Sequence, residues 1–383
     1  MDAEELHYWL ALKRVGGVGN VACHALVQAF GSPKEVFAAP VSNLRAIPGI
    51  GQKIAQEIKS FRQWPAVEQE LERARKEQVA IITCREPLYP RSLLNIYDFP
   101  TVLYVKGVLR QEDINIAVVG SRMASAYGKF STERLCRELA MKGVTIVSGL
   151  ARGIDTAAHQ GCLSAKGRTI AVLGCGLDII YPRENKDLFE KIPGSGAIVT
   201  EFPFGTPPLG PNFPARNRII SGLSLGVVVG EANFRSGSLI TARVALEQGR
   251  EVFAVPGSID AAGSKGTNKL IKEGAKLVEN ADDIMEEIMP QLERGMMLQV
   301  PKNTEQAKSG PCRPASEFKS RPREGLTDRE SSLLKHLSSS PVQIDRIISG
   351  TGGRAGDILP TLLSLELKGY IRQLPGKMFL RKE

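Results

Sequence analysis

IAVVG (116–120), VTIVSG (144–149), TIAVLG (169–174), AIVTE (197–201), GVVVG (226–230) and VFAVPG (252–257) are six short apolar runs, separated by segments long enough for one helix each. Runs rich in Val, Ile and Ala, each closing on glycine or a polar residue, are the signature of strands covered on both faces. The alternation predicts an α/β fold with a Rossmann-like parallel sheet and helical crossovers. Ligands of such sheets bind beyond the carboxyl ends of the strands. The sequence places GSR (120–122), SGLARGID (148–155) and GCG (174–176) there.

The 383 residues predict more than one domain, and 42% hydrophobic with 24% charged residues is an ordinary globular composition that excludes fibrous and wholly disordered classes. The first residues, MDAEELHYWLALKRV, lack the basic start and apolar core of a signal peptide, which points to a cytoplasmic protein. Six scattered cysteines form no CxxC pair and four histidines show no ligand spacing, so no metal or cofactor is expected. The net charge of +9 permits an acidic polymer as partner without establishing one.

Residues 1–65 read as a helical domain with two similar turns, GGVGN (16–20) and PGIGQ (48–52), each followed by a helix. This is a helix-hairpin-helix, SAM-like pattern. Gly49 and Gly51 can bring backbone amides to a phosphate at a helix start, and Lys53 adds a cation. A hairpin that only turns the chain fits equally. Between 65 and 115, a charged helix (67–78) and two strand-like runs, AIITC (80–84) and VLYV (102–105), extend the central sheet.

Along the rim, Gly120 allows close backbone approach, Ser121 offers a hydroxyl and Arg122 a fork of donors for phosphate oxygens. Arg152 is the functional candidate of its loop, Asp155 an N-cap, and His159 a packed structural residue. GCGLDI (174–179) opens like a dinucleotide fingerprint, but Ile179 replaces the third glycine and Pro182 intrudes. YPRENK (181–186) brings an aromatic ring and Lys186 to the same edge. Arg216 and Arg218 are expected in the first turn of a helix, with Asn217 between them, facing an anion. Ser236 and Gly237 open the next helix beside Arg235, and GTNKLI (266–271) repeats the theme after the last expected strand.

GSR with YG (127–128), VSGLARGIDTAAH (147–159), IAVLGCGLDIIYP (170–182), FPARNRIISGLS (213–224), SGSLITARVALEQGREVFAVPG (236–257) and GTNKLIKEGA (266–275) together resemble the DNA-processing protein A family (DprA, also called Smf). The resemblance spans about residues 88–279. It implies an extended Rossmann-like domain that binds single-stranded DNA, forms homodimers and helps load the RecA recombinase in natural transformation. It places Arg122 and Lys186 on the DNA backbone, with Gly120, Ser121, Arg216, Asn217 and Ser236 in the same pocket. It does not imply an enzyme.

The expected domains are 1–65 helical, 66–290 Rossmann-like, 291–325 a Pro-, Ser- and Lys/Arg-rich flexible linker, and 326–383 a winged helix. The last begins at a capping box, Thr327 to Glu330, and ends in a hairpin, GYIRQLPGKMFLR (369–381). Its third helix (355–369) carries few cations, which favours protein contact or autoregulation over sequence-specific DNA reading. Two other functions compete with the mediator: a nucleotide-binding Rossmann-like enzyme of the phosphohydrolase type, and a winged-helix regulator with a ligand-sensing core. The first lacks a Walker lysine motif, a metal cluster and an acid–base pair.

Overall fold

A computed structural model describes residues 3–298 and, beyond them, 333–334, 342–343, 347, 358, 361–362, 365, 370–374 and 378–381. The chain divides into two units, Met1–Pro301 and Lys302–Glu383.

The first unit opens with α1 (Ala3–Arg14), α2 (Asn20–Phe30), α3 (Pro33–Ala38), α4 (Val41–Arg45), α5 (Gln52–Lys59) and α6 (Trp64–Lys76). The internal duplication is reproduced in the backbone. Gly17 and Gly49 both turn the chain at φ 83°, in the left-handed region. Gly19 and Gly51 then cap α2 and α5 in extended conformation.

The sheet follows: β1 (Ala80–Thr83), β2 (Val102–Gly107), β3 (Ile114–Val119), α7 (Ala126–Met141), β4 (Val144–Ser148), α8 (Ile154–Ser164), β5 (Thr169–Val172), α9 (Lys186–Ser195) and β6 (Gly196–Thr200). The chain then returns through α10 (Asn212–Leu223), β7 (Gly226–Val229), α11 (Ser238–Glu247), β8 (Glu251–Ala254), α12 (Lys265–Lys272), β9 (Lys276–Leu277) and α13 (Ala281–Leu298). All six apolar runs are strands. Their order is β1-β2-β6-β5-β4-β3-β7-β8-β9, parallel from β6 to β9, with β2 antiparallel to β6 and β1 antiparallel to β2. Succession runs outward from β3 to β6 and then jumps back to β7 beside β3. The β3/β7 crevice is therefore the topological switch point, where open α/β sheets bind ligands.

Several boundaries differ from expectation. The 65/66 division falls inside α6, because Pro65 sits in the first turn, where its missing N–H costs no helical bond. The helical region and the sheet share one core in which Trp9, Leu26 and Ile58 join Val102, Tyr104 and Ile198. The 290/291 division falls inside α13, whose Ile284 and Ile288 are buried, and the helix runs on to Leu298. Strand β9 was not expected; two residues give no alternation to read.

In the second unit, β10 (Val342–Gln343), β11 (Ile371–Leu374) and β12 (Met378–Arg381) pair antiparallel in the order β10-β12-β11, so the expected hairpin is present. Leu333, Leu334, Ile347, Ile358, Leu362, Leu365, Ile371 and Phe379 form its core. The capping box at Thr327 and the segment 299–325 lie outside the described residues.

Polar links tie the helical region to the sheet. Arg14 pairs with Glu70 at 2.5 Å, and the Tyr104 hydroxyl donates to Glu70 at 2.6 Å; burial and that carboxylate push the Tyr104 phenol up. Lys13 donates to Asn20 at 2.6 Å, Asn20 to Glu201 at 2.9 Å, and Arg218 to Glu201 at 2.5 Å. Removing one member of a buried pair strands the other charge. Arg218→Met is expected to cost about 3 kcal/mol, read as a lower urea midpoint in the fluorescence of Trp9 and Trp64; an unmoved midpoint would show the link to be incidental.

Candidate functional site

The loop after β3 is pinned on both sides. Ser121 N–H donates to the Glu231 carbonyl after β7 at 2.7 Å, and the Ser121 carbonyl accepts from Ile154 N–H at 3.1 Å. Gly153 makes that approach possible: its φ is 78°, and a Cβ there would lie 2.2 Å from the Ser121 oxygen. Arg122 is thereby held at the mouth of a cavity of about 510 Å³ over the β3/β7 switch point. The cavity draws Gly120, Ser121 and Arg122 from the β3 loop, Ala151 and Asp155 from beyond β4, and Arg235, Ser236 and Gly237 from beyond β7. Helix α10 adds Phe213, Arg216 and Asn217. Three arginines thus face one aspartate, a positive balance suited to an anion. Helix α11 starts at this wall without a side-chain cap, its Leu239 and Ile240 amides donating back to the carbonyls of Ser236 and Gly237 at 3.1 Å each.

Arg216 does not sit in the first helical turn as expected. Pro214 is accommodated within the first turn of α10, so the helix begins at Asn212 and Arg216 and Arg218 fall at its fifth and seventh positions. Arg216 is buried and donates to the carbonyl of Gly149 at 2.6 Å and to that of Val172. Burial pushes its pKa down, while Asp155 opposes the shift. Asp155 is buried too and its pKa is raised by desolvation, with Arg216 acting against the rise. It lies one residue inside α8, whose N-cap is Gly153, so it is no N-cap; its carboxylate accepts from Gly149 N–H at 3.1 Å and Ala151 N–H at 3.3 Å.

Phe213 was missed as a site residue. The Arg122 guanidinium stands 4.9 Å from its ring centre, that of Arg216 5.9 Å, and the Tyr181 ring 5.8 Å. A flat face flanked by two guanidinium groups is a surface on which a planar ligand can stack. The signal available was its place beside Pro214 just ahead of the two arginines.

Three expected residues do not line the cavity. Arg218 is buried, paired with Glu201 and 3.2 Å from Asp98, a structural role in place of the expected anion contact. Arg152 is exposed and paired with Glu184 at 2.5 Å. Lys186 is exposed at the start of α9, 3.8 Å from Glu190. In the helical region Gly49, Gly51 and Lys53 have open space around them or are exposed.

This is an α/β protein of the Rossmann-like class with a basic cleft at its switch point. Residues 80–289 match the family described as DNA recombination-mediator protein A, 317–377 the DprA winged helix domain, and 10–63 the SAM-like helix-hairpin-helix tandem. The chain belongs to the DNA recombination-mediator protein A (DprA/Smf) family. It is similar to Protein Smf of Synechocystis, 36% identical over all of both chains. A crystal structure of DNA processing protein A from Streptococcus pneumoniae matches at TM-score 0.66 and 38% identity, covering 73% of this chain and 97% of that one. The Helicobacter pylori protein, described for its single-stranded DNA binding mode, matches at TM-score 0.50 and 30% identity over 56% and 97%.

His159 is fully buried, its Nδ1 2.7 Å from the Thr169 hydroxyl, and burial lowers its pKa to about 3. The unfolded chain binds this proton below about pH 6.5 and the folded chain does not. Stability present above pH 6.5 is therefore lost as pH falls toward 3, by up to about 1.4 kcal/mol per pH unit. Thermal melts between pH 7 and 5 should show a shallower pH dependence for His159→Asn than for the wild type; equal slopes would place the proton uptake elsewhere.

Proposed function

We propose that the chain is a non-enzymatic single-stranded DNA-binding recombination mediator of the cytoplasm, which protects incoming DNA and, as a homodimer, helps load the RecA recombinase during natural transformation. The observation that carries this reading is the pair Arg122 and Arg216 at the Phe213 ring, with Arg235 lining the same cavity at the sheet's switch point. Phosphates follow the cations and bases stack on the ring, the combination that single strands require. The single-stranded DNA bound by the Helicobacter pylori relative supports carrying the ligand over to this chain. Asp155, the one carboxylate in the cavity, is committed to two backbone amides, which favours binding over acid–base chemistry. Gly120, Ser121, Asn217, Ser236 and Gly237 complete the pocket; Lys186 holds the backbone beyond it.

Arg122→Ala is expected to weaken binding of labelled single strands about tenfold, alike for all sequences, and to reduce the salt slope by about 0.7 for each phosphate it no longer neutralises. Lys186→Ala should do the same to a smaller degree. Anisotropy titrations across a salt series check both. Unchanged affinity and slope, with strong competition by a mononucleotide, would turn the cavity into a small-ligand site.

A further inference from the structure

A second cavity, of about 750 Å³, lies one crevice along the same sheet edge, between the loops after β3 and β8, and shares Met123 with the first. Its chemistry is the reverse of its neighbour's. Its ionisable side chains are Tyr127 and Glu231, and its walls are otherwise small and polar or apolar. Glu231 is 6% exposed. Its carboxylate accepts from the Ser125 backbone N–H and hydroxyl, and no ion pair reaches it among the described residues. Oε1 also faces Gly263, where a Cβ would lie 2.8 Å away, and Ser125 and Gly263 both line the cavity. The carboxylate therefore closes the cavity floor between them, with acceptor capacity left over.

The mouth is apolar. Met123, in the loop ahead of α7, and Tyr127, in its first turn, line the cavity and are 92 and 58% exposed; Phe130, three residues further along the helix, is 69% exposed. Exposed aromatics beside a nucleic-acid path are platforms for bases. A phosphate is repelled by Glu231, whereas a base that presents adjacent N–H groups is held by it. Guanine offers two such donors on one edge, a match for a carboxylate's two oxygens; thymine offers one.

We propose that this second cavity is a base-recognition site for the same strand, in which a base stacks on Tyr127 and Phe130 and guanine is selected by Glu231. The proposal rests on the strand binding assigned to the first cavity. Met123, common to both, puts the two sites in succession: a strand gripped by Arg122 passes directly into the second cavity. Phosphate grip and base choice are then separate functions of neighbouring crevices.

The test is anisotropy with two labelled single strands of equal length, one all thymine and one alternating thymine and guanine. The wild type should bind the guanine-containing strand about tenfold more tightly. Glu231→Gln, which keeps a carbonyl to accept from Ser125, should abolish the preference and leave the all-thymine affinity within about twofold. Tyr127→Ala with Phe130→Ala, both at exposed positions, should weaken both strands about tenfold. Retained preference in Glu231→Gln, no preference in the wild type, or unchanged binding in the double variant would overturn the proposal. Arg122→Ala separates the two readings: if it weakens both strands equally while those outcomes occur, the second cavity alone is refuted; if it changes neither, the first is refuted.

Discussion

The buried guanidinium of Arg216, donating to the carbonyls of Gly149 and Val172, is the constraint from which the rim takes its shape. Those oxygens end two neighbouring parallel strands, so one side chain from α10 joins the edges of β4 and β5 across the floor of the cleft. A Cβ on Gly149 would lie 2.3 Å from that guanidinium, so the loop after β4 must carry glycine there. Charge buried among neutral carbonyls is costly unless it is hydrogen-bonded and balanced. Asp155 supplies balance but also accepts from two amides, so the site keeps a net positive potential facing solvent through Arg122 and Arg235. The joining of the two strand ends and the positive balance of the cleft thus draw on the same side chain.

Two residues along α10, Arg218 performs the opposite task. It is consumed by Glu201 and Asp98, and through Glu201 it is linked to Asn20 at the start of α2. The first glycine hairpin keeps its glycines exposed, but the first residue of the helix that follows it is part of a polar chain between the helical region and the sheet. The second hairpin, with the same backbone conformation, keeps Gly51 and Lys53 exposed. The two copies thus differ in the helix that follows the turn, Asn20 being tied to Glu201 while Gln52 and Lys53 are exposed, and the two arginines of α10 are divided between cleft and scaffold.

The strands were legible because fully covered parallel strands leave unbroken apolar runs, and IAVVG to VFAVPG all fall on them. Much of the cleft lining was legible because glycine and arginine stand just beyond the strand ends, where open α/β sheets have their crevices. What sequence did not reveal is side-chain direction. Arg216 and Arg218 are two residues apart on a helix and so project to different sides, one to the cleft and one to Glu201; reading both as anion contacts placed them together in a first helical turn, whereas α10 begins at Asn212. Phe213 is an ordinary apolar residue until two guanidinium groups are brought to its ring. Glu231 follows GVVVG as any strand-end carboxylate would, and only the fold shows it lying against Ser125 and Gly263, with no cation paired to it among the described residues.

The central claim is that a single strand occupies the switch-point cleft. Amide hydrogen exchange of the full chain, with and without a saturating single-stranded oligonucleotide, tests it without substituting any residue. The account predicts slowed exchange in 120–123, 212–217 and 233–237, three segments that line the cleft. Protection confined to the hairpin at 48–53, or to the winged-helix residues, with those three segments unchanged, would contradict it.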